Sequence, residues 1–211
     1  MHRKGRIVLK IITDTGVDIP DIYIDKYDID ILSFRVLIED KEYLDGKTIK
    51  VEEVYEYMRN DILPRTAQVP MVDIYTVIDE NLSKGIDCIY FTLGAKLSGT
   101  FQTATLVAQE LREKYPNRKI EVVDTAGGAL GGGLVVLQAA LLREAGYDFD
   151  MIINHTHKLG ASLEHLFTLQ DLNWLHKGGR LSKSHAIIGN MLNIKPILHI
   201  EYGTIGVYQK V

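Results

Sequence analysis

The segment Ile89-Tyr-Phe-Thr-Leu-Gly-Ala-Lys-Leu-Ser-Gly-Thr-Phe-Gln-Thr-Ala104 constrains this chain more than any other. Its apolar run over residues 88–93 reads as a buried strand, Gly94 and Ala95 as a tight loop, and Ser98 as the opening of a helix. A strand that feeds a helix through small residues leaves backbone N–H groups free at the helix N-terminus. Those donors and the positive end of the helix dipole favour an anion there. Ser98 is the natural N-cap, and Gly99 lets a ligand approach the backbone. An ordinary capped helix in an α/β domain carries the same signal, so this element alone leaves packing and binding both open.

The elements around it alternate. Strands are expected over residues 7–12, 29–38, 86–93 and 119–123, and helices over 51–58, 71–82, 98–114 and 126–145. Such alternation implies a mostly parallel sheet covered on both faces, an α/β/α domain over residues 1–147. Ligands of these sheets sit outside the carboxyl ends of the strands. Asp14, Thr15, Gly94, Ser98, Asp124 and Thr125 all fall on that edge. After Gly146 the pattern changes to a smaller α+β domain over 148–211. Within it, helices are expected at 149–159, 171–176 and 186–192, a strand at 161–169, and a hairpin at 196–201 and 204–211.

Composition narrows the function classes. A 211-residue chain, 46% apolar and 25% charged, can bury a genuine core. Its net charge of −4 argues against nucleic acid as a partner. The single cysteine, Cys88, sits in an apolar strand and is expected to be an inert core residue, which fits a reducing cytoplasm. The basic N-terminal stretch is broken by Lys10 and does not read as a signal peptide. The longest apolar stretch, 129–142, is shorter than the roughly 20 residues of an integral membrane segment and reads as a buried core helix.

Several smaller signals carry competing readings. Pro64-Arg-Thr66-Ala-Gln68-Val-Pro70 is bracketed by prolines, so it reads as a loop that fixes Thr66 and Gln68. Pro70 opens the next helix. Gly127-Gly-Ala-Leu-Gly-Gly-Gly133 lacks the Gly-Lys-Ser/Thr ending of a phosphate loop and reads as close packing at a helix start. His155 and His157 share no helix face and have no partners for a metal, so no metal or cofactor is called for. Asp14 and Asp124 would be the acid and base of a crevice enzyme, or simply the carboxylates of strand-end turns.

Five segments in order resemble the DegV family of bacterial fatty-acid-binding proteins: Thr13-Asp14-Thr15, Arg65-Thr66-Ala67-Gln68, Leu97-Ser98-Gly99-Thr100-Phe101, Gly178-Gly179-Arg180-Leu181-Ser182 and Asn193-Ile194-Lys195-Pro196-Ile197-Leu198. The resemblance runs from about Ile7 to Val211. It implies a long-chain fatty acid held between the two domains by a protein that is not an enzyme and presents its cargo to a separate fatty-acid kinase. On the matching positions the carboxylate would meet Thr66, Gly94, Ala95, Ser98, Gly99 and Thr100. The family's Ser-Ser pair is Gly94-Ala95 here, and the serine after its threonine is Ala67, so side-chain donors are lost. Family members often bring an arginine and a later histidine from the second domain, and these are expected beyond Val211. Members usually continue further, so the chain is expected to be a fragment or a shortened form with an incomplete second sheet. Two alternatives remain: a small-molecule enzyme using Asp14 and Asp124, and a ligand-free relative acting as a protein-interaction module.

Overall fold

The computed structural model describes residues 9–181, 196–201 and 203–209. Its centre is a four-stranded parallel sheet in the order β2-β1-β6-β7, formed by β1 (Leu9–Asp14), β2 (Ile29–Leu32), β6 (Asp87–Thr92) and β7 (Ile120–Asp124). These strands carry apolar residues at most positions and on both faces, as a sheet covered on both sides requires. Ile11, Ile29, Ile89, Phe91 and Val123 turn to one face. There they meet α5 (Ala129–Glu144) and α6 (Phe149–Ser162). Ile12, Leu32, Cys88, Tyr90 and Val122 turn to the other, under α3 (Met71–Ser83) and α4 (Thr100–Lys114). Cys88 is buried, and burial pushes its thiol up to about 12, so it packs as an apolar residue.

The expected strand over 29–38 is two strands. The chain leaves the parallel sheet at Ser33-Phe34, and β3 (Arg35–Ile38) joins a separate antiparallel sheet in the order β4-β3-β5. Its other members are β4 (Lys41–Leu44) and β5 (Arg65–Ala67), with α2 (Val51–Arg59) against it. The proline-bracketed segment is therefore not a loop throughout, because Thr66 lies opposite Val36 in a short edge strand. An edge is where a strand closed by prolines fits. Arg35 ties this sheet to the body of the protein through Asp73 on α3 at 2.7 Å, and within the sheet it pairs with Glu42 on β4 at 3.2 Å. The remaining short helix of the first half, α1 (Asp21–Lys26), carries Ile24, which packs on the first core.

The second half builds a three-stranded antiparallel sheet, β10-β9-β8, from β8 (His165–Phe167), β9 (Ile197–Glu201) and β10 (Thr204–Gln209), with α7 (Leu172–Lys177) beside it. The helix expected at 186–192 lies outside the described residues. Helix α6, which follows the boundary expected at 147/148, packs along α5 and places Phe149 and Ile152 in the first core. The apolar helix α5 is not buried all round: Val135, Val136, Ala139 and Ala140 face the core, while Leu130, Leu134 and Leu141 face solvent.

The glycines at the start of α5 have a concrete role. Gly127 and Gly131 leave the space that the His165 ring fills, and a Cβ on either would overlap it. Gly133 similarly admits the Asp18 carbonyl. His165 comes from β8, so this contact joins the small sheet to the large domain. Its Nε2 is buried without a partner among the described residues, and burial lowers its pKa. Gly131→Ala should push the ring out and return its titration to about 6.5, read from the imidazole NMR signals. A buried neutral histidine stabilises less as pH falls below that value, because the unfolded chain takes up the proton more readily. The parent should therefore lose more stability than Gly131→Ala between neutral pH and pH about 5.5 in urea titrations.

Candidate functional site

The strand order places a topological switch between β1 and β6, since β2 lies to one side and β7 to the other. The carboxyl ends of β1 and β6 open onto a cavity of about 540 Å³. Its walls come from all three sheets. Thr15, Gly16 and Leu93 contribute from the parallel sheet edge, and Phe34, Thr66 and Gln68 from the sheet around β3. Trp174, Leu175, Arg180 and Ile205 contribute from the second half. Ser98 and Gly99, just before α4, line the same space.

Two carboxylates, Asp14 buried and Asp124 half-buried, hold this edge in shape. Asp14 is fully enclosed, and its two oxygens accept from Gly16 N and Leu93 N, each at 3.0 Å. It therefore ties the loop after β1 to the loop after β6. Burial raises its pKa to about 6, against the downward pull of those two amides. The Tyr90 hydroxyl stands beside it but outside hydrogen-bond geometry, and burial raises that phenol well above its ordinary value. Asp124 Oδ1 accepts from Ala95 N at 3.1 Å and from Ala126 N at 2.8 Å. It fastens the loop after β6 to the turn before α5. Neither carboxylate lines the cavity. Both act as turn posts, as strand-end aspartates commonly do.

The expected ligand residues divide into three groups. Thr66, Ser98 and Gly99 share the cavity wall. Thr100 lies behind it, fully buried, where its hydroxyl meets Ser98 Oγ at 2.9 Å and accepts from Val69 N at 3.4 Å. Gly94 and Ala95 stand outside the lining and are committed elsewhere, Gly94 N to Gly127 O at 2.7 Å and Ala95 N to Asp124. The helix begins at Thr100 with Gly99 at its cap, and Ser98 Oγ accepts from Thr100 N at 3.2 Å, so the capping hydroxyl sits one residue earlier than its position implied. Gly99 makes room for the Gln68 amide, whose oxygen a Cβ there would overlap; Gln68 Nε2 then donates to Thr103 Oγ1 at 2.6 Å. The sequence reading had given that space to a ligand.

Arg180 is the residue the sequence reading missed. A cation was expected only beyond Val211, yet the turn after α7 brings Arg180 to the cavity, where its Nε donates to Leu97 O at 3.2 Å. The signal was present in Gly178-Gly179-Arg180. Gly179 has φ +74°, a left-handed turn that reverses the chain immediately before the arginine. Trp174 and Phe34 were likewise not foreseen, because periodicity does not tell which aromatic residues of short elements face one another.

A side chain at Gly94 would meet the Gly127 backbone at 3.1 Å, although its φ is not left-handed. Gly94→Ser should therefore cost about 1–3 kcal/mol of stability by overpacking, measured in urea, without adding a donor to the cavity. Asp14→Ala strands two half-buried N–H groups and should cost about 1–3 kcal/mol. Asp14 has a raised folded pKa, so the ionised group opposes folding. The parent should lose stability as pH rises from about 4 to about 6, and Asp14→Asn should flatten that slope.

Comparison with known proteins places the chain. A family model described as "uncharacterised protein, DegV family" matches residues 8–211. A DegV domain-containing protein of Clostridium perfringens is 34% identical over 90% of this chain and 66% of its own length. Another, from Caldanaerobacter subterraneus, is 34% identical over 96% of this chain and 71% of its own. The chain thus spans about two thirds of the length of these relatives. Among solved structures, a stearic acid-binding protein of Eubacterium ventriosum superposes with a TM-score of 0.89 at 27% identity, covering 96% of this chain and 70% of the other. A fatty acid-binding DegV family protein of Streptococcus agalactiae gives 0.85 at 32% identity, over 96% and 71%. The match over nearly the whole chain, with the same mixed α/β architecture, makes this protein a member of the DegV family.

Proposed function

We propose that this chain binds a long-chain fatty acid in the cavity between its sheets, catalyses no reaction itself, and presents the acid to a separate fatty-acid kinase in the cytoplasm. The observation that carries the reading is the polarity of the cavity. Phe34, Leu93, Leu97, Trp174, Leu175 and Ile205 make most of the lining apolar, while Thr66, Gln68 and Ser98 add neutral polar groups, Arg180 a cation beside the Leu97 carbonyl and Asp45 one carboxylate. An amphiphile with one anionic end fits this arrangement. The volume lies within the range usual for small-molecule sites. The stearic acid named for the Eubacterium ventriosum protein is such a molecule. The non-enzymatic reading draws support from Asp14, both of whose oxygens accept from backbone amides, and from Asp124, whose Oδ1 accepts from two; neither lines the cavity. The kinase rests on the family resemblance, which implies a separate enzyme to receive the acid.

Magnitudes favour the tail over the head. About fifteen methylenes at ~0.8 kcal/mol each give roughly 12 kcal/mol of gross burial. A hydrogen bond to a charged group contributes about 1.5–3 kcal/mol, and association costs are subtracted from both. Loss of the Ser-Ser hydroxyls at Gly94-Ala95 therefore leaves binding possible. Those positions are also outside the lining, so the head group depends on Thr66, Ser98 and Arg180.

Native mass spectrometry of the purified chain should reveal a co-purified fatty acid, and its absence after reconstitution with stearic acid would overturn the reading. In titrations of delipidated protein, Thr66→Ala should weaken fatty-acid binding by about 1.5–3 kcal/mol. Arg180→Gln should do at least the same, while the methyl ester of the same acid should discriminate much less between parent and variant. Equal losses for acid and ester would remove these residues from the head-group end.

A further inference from the structure

Helix α5 is apolar on all sides, and a helix of that kind is normally covered on all sides. Val135, Val136, Ala139 and Ala140 fill the first core. Gly131 takes the His165 ring, and Val135 faces Gly160 of α6. The remaining side carries Leu130, Leu134 and Leu141, which stay 71%, 54% and 46% exposed. Leu137, partly buried, completes the row. Leu142 also turns inward, yet three leucines of this helix stay outward while Ala139 and Ala140 occupy the core, against what burial within one chain favours.

We propose that this row is the surface through which two copies of the chain associate, α5 against α5 in opposite directions across a two-fold axis near Leu134 and Leu137. Three observations select a second copy. Leu130, Leu134, Leu137 and Leu141 are spaced four, three and four apart, the seam of a helix that packs along another helix of the same pattern. The seam is about 16 Å long, and no charged residue falls within it. Such a row is its own complement under two-fold rotation.

The area is also of the right order. The exposed leucines with Tyr147, at the turn after α5, present roughly 400 Å², near the usual limit for an apolar patch on a monomer. An interface about 65% apolar built around that patch covers about 600 Å² per partner, the lower end of the range for specific association.

Charge supplies the direction. Glu144 lies exposed in the last turn of α5, where the helix dipole is already negative and a carboxylate is unfavourable. Antiparallel pairing sets Glu144 beside the N-terminal, positive end of the other copy's α5. A parallel arrangement would bring the two carboxylates together. A lipid surface is less well matched, because α5 offers no exposed cation beside the row and the chain is net negative.

The test is independent of the fatty-acid reading. Sedimentation velocity of the whole chain between about 1 and 200 µM should show a reversible monomer–dimer equilibrium, the range in which an interface of this size dissociates. Leu134→Lys should weaken it by about tenfold or more while leaving the circular dichroism spectrum unchanged, and Tm unchanged at concentrations where both proteins are monomeric. Leu134→Cys should form a disulfide-linked dimer on mild oxidation, since the position lies close to the axis; Cys88 is buried and does not compete. A chain that stays monomeric throughout, a Leu134→Lys variant that associates like the parent, or a Leu134→Cys variant that fails to cross-link would each overturn the proposal. Binding of a monomeric parent to phosphatidylcholine vesicles, lost in Leu134→Lys, would overturn it in favour of a lipid contact.

Discussion

The enclosed carboxylate of Asp14 is the contact on which the functional edge depends. It sits where β1 and β6 part company and accepts one backbone N–H from each of the loops that follow them. A parallel sheet ends its strands in loops that have no hydrogen-bond ladder of their own, so something must fix those loops relative to one another. Asp14 does this across the switch point, and Asp124 repeats it one strand further along. Such an arrangement carries a cost, since a buried charge is held only by dipoles and the carboxyl is drawn toward its neutral form. Its return is a rigid rim: Thr15, Gly16 and Leu93 reach the cavity as fixed points.

From that rim outward, the walls are assembled by packing. The antiparallel sheet around β3 is anchored by the Arg35 pair with Asp73 of α3, and its edge strand β5 carries Thr66 to the cavity lining. The second half is brought in by His165 seated among the glycines of α5, by Leu97 in the small core and by the Arg180 contact to the Leu97 carbonyl. Glycine serves two ends in this protein. At 127 and 131 it creates room for a neighbouring ring, whereas at 179 it supplies a left-handed turn that aims Arg180.

Much of this was legible in the sequence, for identifiable reasons. The buried strands β6 and β7 and helices α3 and α4 declare themselves because long apolar runs and capped periodic segments depend on local pattern alone. The carboxyl-edge location followed from strand–helix alternation, and Thr66, Ser98 and Gly99 are among the residues that line the cavity there. What pattern does not encode is which strand neighbours which. The break at Ser33-Phe34, which sends β3 into another sheet, has no glycine or proline to announce it. The exposure of the α5 leucines was equally hidden, since a helix apolar on all sides gives no sign of which side the fold will leave open. Gly94 and Ala95 were placed at the site because they align with a known motif, whereas their backbone amides are spent on Gly127 and Asp124.

The three-sheet construction of the cavity has a consequence for the order of events when the chain is made. Its lining runs from Thr15 to Ile205, so the enclosing surface draws on segments far apart in the sequence. Segments this far apart in sequence meet late, because closing so long a loop is opposed by chain entropy until the intervening elements have formed. The parallel sheet and its two flanking layers need nothing beyond Ser162 and are free to form first during synthesis. Before Arg180 and Ile205 arrive, the crevice is an open groove with its polar threonine and serine already in place. The cavity closes only when β9 and β10 dock, so its enclosure follows the formation of the parallel sheet.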